Sequence, residues 1–494
     1  MSDDIGNRHA GDLGGRLAAD DSVRPVGVRV TVADLHAGLH ATQHTAWMLI
    51  NLLARLVQVV GDVIVDCPRN VALLPNVIPG KMIGAPSLRD ELIDSASGIG
   101  GATIRSKGQA DRTLFVGPEA SRPNELQVFG AGWVGGIARV ARIEGSITSA
   151  LPFGPYVAAC LGAGAVFTDA RLPVARRWRD DTLCLSAWTL QRVSGPWVSS
   201  DGPTAPMIRM RATLAGVGAV GSTWVHAIAC CPGVLGEVDL VDNDDRGIEA
   251  TNLNRYPLFG RDSLGRAKAS EAARLAARPG ILWRPFDREI ESMDFLAPLL
   301  LSAVDADVAR RVIQRRYPAR ILSASTHDLR AELLRAGPPG VGACLQCDTQ
   351  DDPVLTDEQV RAAMQADETL ARRAGVTPGE IQAWKEKGGC GEIGGRILGA
   401  FRSGAAEVPR FAVGFVSVMA GVLLAAQSVK ELSGNAPALS DTVNRSVFQF
   451  FEPFARTNAP GFHARATRCP ACAPGSPQHA VWLRRFHSGP SFSE

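Results

Sequence analysis

The period of apolar and polar positions changes several times along this 494-residue chain. Val26 to Val32 has the pattern of a short strand, and Leu35 to Leu56 then carries apolar residues at helical spacing and stops before Gly61. Val63 to Val65 predicts a strand that runs into Asp66-Cys67-Pro68. Residues 79–111 are rich in Gly and Ser and predict loop. Leu114 to Val116 and Leu126 to Phe129 predict further strands, the second leading into a glycine turn at Gly130 to Gly136. Phe153 to Phe167, rich in Ala and Gly, predicts a buried helix, and Leu183 to Trp197 holds alternating segments. Ser199 to Pro206 predicts a linker. From Ile208 to about Cys347 strand patterns alternate with helical ones, which predicts a parallel α/β sheet. Asp351 to Lys387 is charged and helical in pattern, with a break at Thr377-Pro378, and Phe411 to Leu432 predicts a long apolar helix. Two glycine-rich strand-to-helix turns, at Gly130 and at Gly216, suggest an old duplication.

These changes divide the chain into a tail over 1–21, a first half over 22–175, a crossover over 176–206, a second half over 207–349 and 411–480 interrupted by an insertion at 350–410, and a tail over 481–494. The length suits two domains plus an insertion rather than one core.

Composition narrows the class only by exclusion. An apolar share of 46% and a charged share of 21% are those of an ordinary globular protein. A net charge of +2 and no long Lys/Arg run give no reason to expect nucleic acid. The richest apolar stretch, Ala412 to Ala426, is short for a membrane span and is better explained as a buried helix. Met1 to Asp21 has no apolar core and predicts a loose tail rather than a signal peptide. Four of the ten cysteines fall into two Cys-x-x-Cys pairs, which points to metal in a reducing cytoplasm rather than to disulfides.

The chemistry concentrates after Ile208. A strand pattern, Ile208 to Ala215, runs into Gly216-Val217-Gly218-Ala219-Val220-Gly221, and an apolar helix pattern, Ser222 to Cys231, follows. Glycines so placed allow a tight turn and close approach of phosphates to a helix N-terminus. The next strand ends in Asp242, where an acid commonly binds a ribose hydroxyl. Alone, this signal fits any mononucleotide or dinucleotide, or a close-packed turn with no ligand. Asp244, Asn252, Arg255 and Lys268 follow, and a further strand pattern, Leu299 to Val304, ends at Asp305. Adenylating a carboxylate requires attack on the α-phosphorus of ATP with pyrophosphate leaving. It therefore needs cations to neutralise developing charge, here Arg255 and Lys268, and acids to hold magnesium, here Asp305 with Asp244 as a further candidate. Hydride transfer has no use for that set.

At these residues the chain resembles the family containing ubiquitin-activating enzymes and the bacterial sulfur-carrier adenylyltransferases. The resemblance lies in the glycine loop, Asp242-Asn-Asp244, Thr251-Asn-Leu-Asn-Arg255, Gly265-Arg-Ala-Lys268 and Asp305, with Thr251 standing for the family's Ser and Tyr256 for its Gln. It implies that Asp242 holds the ribose, Asn252 and Arg255 the phosphates, Lys268 the triphosphate, and Asp305 the Mg2+.

Cys344-Leu-Gln-Cys347 and Cys469-Pro-Ala-Cys472 suit a closed, structural zinc site of four thiolates, with free buried or redox-active cysteines as the alternative. Cys160, Cys230 and Cys231 lie in apolar helix patterns and read as core, and Cys67 as structural. Cys390 differs: it is flanked by glycines and lysines in Lys385-Glu-Lys-Gly-Gly-Cys390-Gly-Glu-Ile-Gly-Gly395, surroundings that favour a thiolate nucleophile. The resemblance implies a thioester-forming cysteine in this interval; an incidental loop cysteine is the alternative.

The fold expected from the whole is α/β, with two Rossmann-like adenylation domains. The first is inactive and contributes one arginine, Arg24 or Arg29, to the nucleotide site; the second is active and carries the small cysteine-bearing insertion and the zinc site. The architecture is closest to the activating enzymes of bacterial antiphage conjugation operons related to the interferon-stimulated ubiquitin-like modifier. That resemblance implies a ubiquitin-like protein and a conjugating enzyme as partners, no nucleic acid and no membrane, ATP, Mg2+ and Zn2+ as cofactors, and a cytoplasmic location, and it leaves a homodimer open. The alternatives are a sulfur-carrier adenylyltransferase of the thiamine or molybdopterin type and a non-catalytic scaffold on a relict nucleotide fold.

Overall fold

Eight strands with one connectivity occur twice in this chain. In the first sheet they are β1 (Val26–Val32), β2 (Val60–Asp66), β3 (Thr103–Arg105), β4 (Arg112–Val116), β5 (Leu126–Ala131), β6 (Val134–Ala138), β7 (Leu183–Ser186) and β8 (Arg192–Val193), in the order β3-β2-β1-β4-β5-β6-β7-β8. In the second they are β9 (Ile208–Ala215), β10 (Val234–Val241), β11 (Ile281–Phe286), β12 (Leu299–Ser302), β13 (Arg320–His327), β14 (Arg330–Ala336), β15 (Arg445–Gln449) and β16 (Pro460–Gly461), ordered β11-β10-β9-β12-β13-β14-β15-β16. The first five strands of each sheet pair in parallel and the last three are added antiparallel.

The computed structural model describes residues 24–81, 87–119, 124–138, 147–171, 182–193, 202–243, 246–327, 329–337, 340, 342–347, 412–434 and 439–487. All of these belong to one compact unit, Met1–Asp348 with Phe411–Glu494; Thr349–Arg410 form a second unit and lie outside the described residues.

Four helices form the layer that joins the two sheets. They are α1 (His40–Arg55), α3 (Phe153–Arg171), α4 (Ala219–Cys230) and α7 (Gly414–Leu432), with α2 (Leu88–Ser97), α5 (Lys268–Leu275), α6 (Asp307–Arg315) and α8 (Pro477–His487) placed around them. α1 packs on α3, α3 on α7 and α7 on α4, so one hydrophobic core runs through both halves. A helix buried all round is apolar all round, and α7 is buried from Gly414 to Lys430. It is the one described helix long and apolar enough to cross a membrane, and its composition is that of this central layer. Polar ties cross the layer too: Trp224 Nε1 donates to Ser428 Oγ at 3.1 Å, and buried Lys430 donates to the carbonyls of Ala187 and Trp188 at 2.9 and 2.8 Å.

Two expectations are corrected. The glycines at Gly130 to Gly136 do not form a strand-to-helix turn; they lie in the hairpin β5–β6. Their smallness serves close packing, because a Cβ on Gly130 or Gly135 would lie 2.2 or 1.9 Å from the carbonyl oxygen of Gly154 at the start of α3. Nor are residues 79–111 wholly loop. Ser87 caps α2 by accepting from the Asp90 amide at 3.2 Å, Leu88, Leu92 and Ala96 bury one face, and β3 follows.

Candidate functional site

Three adjacent parallel strands of the second sheet end side by side. β9 runs into Gly216, β10 into Asp242, and β12 into Ala303-Val304-Asp305. The chain leaves β9 towards β10 on one side and returns to β12 on the other, which opens a crevice at the strands' carboxyl ends.

The glycines have separate tasks there. Gly216 sits at φ +89°, and a Cβ on it would lie 2.8 Å from the carbonyl oxygen of Ala303. A Cβ on Gly221 would lie 1.9 Å from the carbonyl oxygen of Gly216, so α4 can close on the turn only with hydrogen at that position. Gly218 caps α4, and the nearest atom to a Cβ built on it is the Tyr256 hydroxyl oxygen at 3.5 Å. The Val217 amide donates to Asp242 Oδ2 at 2.7 Å, so the acid at the end of β10 holds the middle of the loop.

The cations come from a turn and a helix start. Glu249 and Asn252 form a reciprocal capping box around the turn Ala250–Asn252, with Asn252 Oδ1 accepting from the Glu249 amide at 3.0 Å. Asn252 therefore has a structural task that its motif position does not announce. Arg255 donates from Nη1 to the Thr251 carbonyl at 3.2 Å and to Asn254 Oδ1 at 3.0 Å, while Asn254 Nδ2 donates to the Ala412 carbonyl at 3.3 Å. The guanidinium carbon of Arg255 lies 5.4 Å from the centroid of the Tyr256 ring, and Nζ of Lys268, the first residue of α5, lies 5.8 Å from it. Both cations thus converge on one buried aromatic ring.

Asp305 is exposed in the loop after β12, because the strand expected to reach Val304 ends at Ser302, three residues before it. Its exposure leaves the carboxylate open to a hydrated cation, and acids of this type suit Mg2+. Asp244 and Cys390 lie outside the described residues.

The first half has no matching glycine loop. β1 passes through Ala33 and a turn at Asp34–His36 into α1. The cleft at its strand ends, about 690 Å3, is lined by Arg29, Asp34, Asp66, Arg69 and Arg89 among others. Arg29 donates to the Gly108 carbonyl at 2.6 Å and lies 3.7 Å from Asp66, within its own half, and Arg24 is exposed before β1. An arginine of the first half that reaches the stretch carrying Arg255 is Arg55, at the end of α1. Buried to 1% exposure, it donates from Nη1 to the Leu253 carbonyl and from Nη2 to those of Pro257 and Phe259 at 3.3 and 2.8 Å, and Asn51 Oδ1 accepts from its Nε at 2.8 Å. Burial lowers its pKa to about 9, which still leaves it charged at neutral pH. An arginine closing an apolar helix was the sequence signal for it, but nothing there names its partners.

The Sγ atoms of Cys344, Cys347, Cys469 and Cys472 lie within 4.8 Å of one another, with Cys344–Cys469 at 3.7 Å, Cys344–Cys347 at 3.8 Å and Cys347–Cys472 at 3.4 Å. Four thiolates at tetrahedral corners around zinc at about 2.3 Å stand about 3.8 Å apart, so this donor set fits the ion. Amides of Cys344 and Ala466 each donate to Cys347 Sγ at 3.4 Å, which steadies a thiolate. The knuckle joins the segment after β14 to the segment before α8, and Trp482 of α8 packs against it.

The "Uncharacterized protein y4jF" of Sinorhizobium fredii is 27% identical to this chain over 391 residues, 69% of this chain and 72% of that protein. Among solved structures, E. coli MccB with MccA-N7isoASN aligns with a TM-score of 0.37 at 18% identity, over 53% of this chain and 66% of that one. E. coli MccB with ATP aligns with a TM-score of 0.36, again at 18% identity, over 53% and 65%. The profile of the ThiF family matches residues 205–471, more than half of the chain, from just before β9 into the second Cys-x-x-Cys pair. The protein belongs to the ThiF family, whose members are ATP-dependent adenylation enzymes.

Proposed function

We propose that this chain activates the C-terminal carboxylate of a small ubiquitin-like protein, captures it as a thioester on Cys390, and passes it to a conjugating enzyme, as in the bacterial antiphage conjugation pathways its architecture resembles. The observation that carries the adenylation step is the convergence of Arg255 and Lys268 on one ring beside the glycine loop. In this reading the terminal carboxylate oxygen attacks the α-phosphorus, the bond to the β-phosphate oxygen breaks, and pyrophosphate leaves as an acyl-adenylate forms. Fixed cations around the triphosphate stabilise the charge that develops on the leaving group. Asp242 takes the ribose while its Oδ2 keeps hold of the loop. Asp305, with Asp244, would hold Mg2+, which supplies further positive charge at the phosphates. The thiolate of Cys390 then attacks the acyl carbon, the bond to AMP breaks, and AMP leaves.

Support for Cys390 comes from the other cysteines. Burial pushes the thiols of Cys67 and Cys230 up to about 12 and raises those of Cys160, Cys184 and Cys231 as well, so none offers a thiolate near neutral pH. The zinc-site cysteines are committed to one another. The first half is read as an inactive partner domain that shapes the site through Arg55.

The test uses the purified full-length chain with a glycine-tailed ubiquitin-like protein, Mg2+ and labelled ATP. ATP–pyrophosphate exchange should appear, together with a thiol-sensitive adduct on a non-reducing gel. Cys390→Ala should abolish the adduct and spare exchange. Exchange without any adduct in the wild type would favour a sulfur-carrier adenylyltransferase, and no exchange with any such modifier would remove the reading.

A further inference from the structure

We infer that the first half carries a ligand site of its own: the cleft at the strand ends of its sheet takes a small organic anion that also bears hydroxyl or ammonium donors, with the anionic group held between Arg69 and Arg89. The inference does not rest on the adenylation reading, and it gives a task to a half that has no glycine loop.

The place follows from the topology. The two sheets share one strand order, so β1 has β2 on one side and β4 on the other, as β9 has β10 and β12. A parallel sheet opens a crevice where the chain leaves a strand towards one side and returns on the other. In the second sheet the glycine loop lies there. In the first sheet the crevice is the cleft of about 690 Å3, within the size range of small-molecule sites. A second ATP is not its ligand. Where β9 is followed by Gly216 and Val217, β1 is followed by Ala33 and the exposed Asp34, and a carboxylate at that turn repels a triphosphate.

The side chains define the ligand. Arg69, in the loop after β2, and Arg89, in the first turn of α2, reach one cleft from two elements. Neither makes a hydrogen bond or ion pair among the described residues. Arg29 differs, since Asp66 at 3.7 Å and the Gly108 carbonyl at 2.6 Å occupy it. Guanidinium groups present planar forks of donors that match the oxygens of a carboxylate or phosphate. Asp34 and Glu125 line the same cleft, so a bare polyanion would meet repulsion there, whereas hydroxyl or ammonium groups would find acceptors. Thr31 of β1 and Thr113 and Phe115 of β4 add two hydroxyls and an apolar surface. The loop that carries Arg69 is anchored, because Cys67 is buried and Pro68 fixes its own backbone angle. Burial pushes the Cys67 thiol up to about 12, so it adds no negative charge to the cleft.

Calorimetry of the full-length chain with L-glutamate, citrate and glucose 6-phosphate, without Mg2+, tests the inference. The three probes separate an ammonium-bearing carboxylate, a hydroxyl-bearing carboxylate and a phosphate. At least one should bind at one site per chain. Arg69→Gln and Arg89→Gln should each weaken that probe by about tenfold, with the melting temperature and the Kd for ATP with Mg2+ unchanged. Asp34→Asn separates a built site from a mere excess of positive charge: it should weaken the probe as well, whereas loss of an acid strengthens a general attraction for anions. The inference is overturned if no probe gives heat, if the arginine variants bind the probe as the wild type does, or if Asp34→Asn binds it more tightly.

Discussion

Arg55 Nη2 donates to the carbonyl oxygen of Phe259 at 2.8 Å, although the two residues stand 204 positions apart and in different halves. With its further bonds to Leu253 and Pro257, the same guanidinium brackets the stretch that carries Asn254, Arg255 and Tyr256. One half of the molecule thus sets the shape of the turn that carries Arg255 in the other half.

Removing that grip should cost both stability and nucleotide binding. Arg55→Met leaves three buried carbonyls short of a donor, at about 1–3 kcal/mol each before relaxation, offset by relief of a desolvated charge. A net loss of about 2–4 kcal/mol is expected in urea unfolding, with ATP affinity falling further than AMP affinity. Arg55→Lys should not restore it, because a point cation cannot span three carbonyls in a plane. Unfolding curves and ATP titrations indistinguishable from wild type would show that the bracket is idle.

Acid should weaken the joint between the halves through His226. Its imidazole is buried against Trp47, at 4.7 Å between rings, and Tyr156, at 5.2 Å, with Arg55 and His44 as the charged or titratable neighbours. Burial, aided by Arg55, lowers its pKa to about 3 from the ordinary 6.5. The folded pKa lies below the unfolded one, so the unfolded chain binds the extra proton between the two values. Stability from this group is complete above about pH 6.5 and falls as pH drops towards 3, by up to about 1.4 kcal/mol per pH unit. His44, also lowered, adds in the same direction. His226→Leu should flatten the dependence in chemical denaturation between pH 7 and 5; an unchanged slope would count against the assignment.

Zinc should be found at one ion per chain by elemental analysis. Cys472→Ser, or prolonged chelation, opens a site whose thiols also hold the Ala466 amide and pack with Ala343, Ala473 and Trp482. A loss above about 3 kcal/mol is expected, since binding to such a site is coupled to folding. Metal-free protein with an unchanged melting temperature would contradict a structural role.

Several of these features were legible locally. The glycine loop, Asp242 at a strand end and the two cysteine pairs lie within short windows, and their spacing carries the geometry that matters: Gly216 must turn at positive φ, and Gly221 must admit a carbonyl. The apolar helices α3 and α7 were equally plain, because total burial leaves no polar face to confuse the period. The glycines from Gly130 to Gly136 misled because closeness of strand to helix and a strand-to-helix turn both demand glycine, and only the neighbour decides between them. Asn252 carries a second task that its motif does not announce: its side-chain oxygen also caps a turn.

By itself, then, the sequence determined the turn at Gly216 to Gly221, the buried helices and the paired cysteines suited to a thiophilic metal, since those demands are met within a few residues. Tertiary structure alone decided that two sheets share one strand order, that Arg55 grips the second half, and that Arg255 and Lys268 both come near the Tyr256 ring. Such contacts join side chains far apart in the chain. Their partners are chosen by helix packing and sheet order, and no local pattern encodes either.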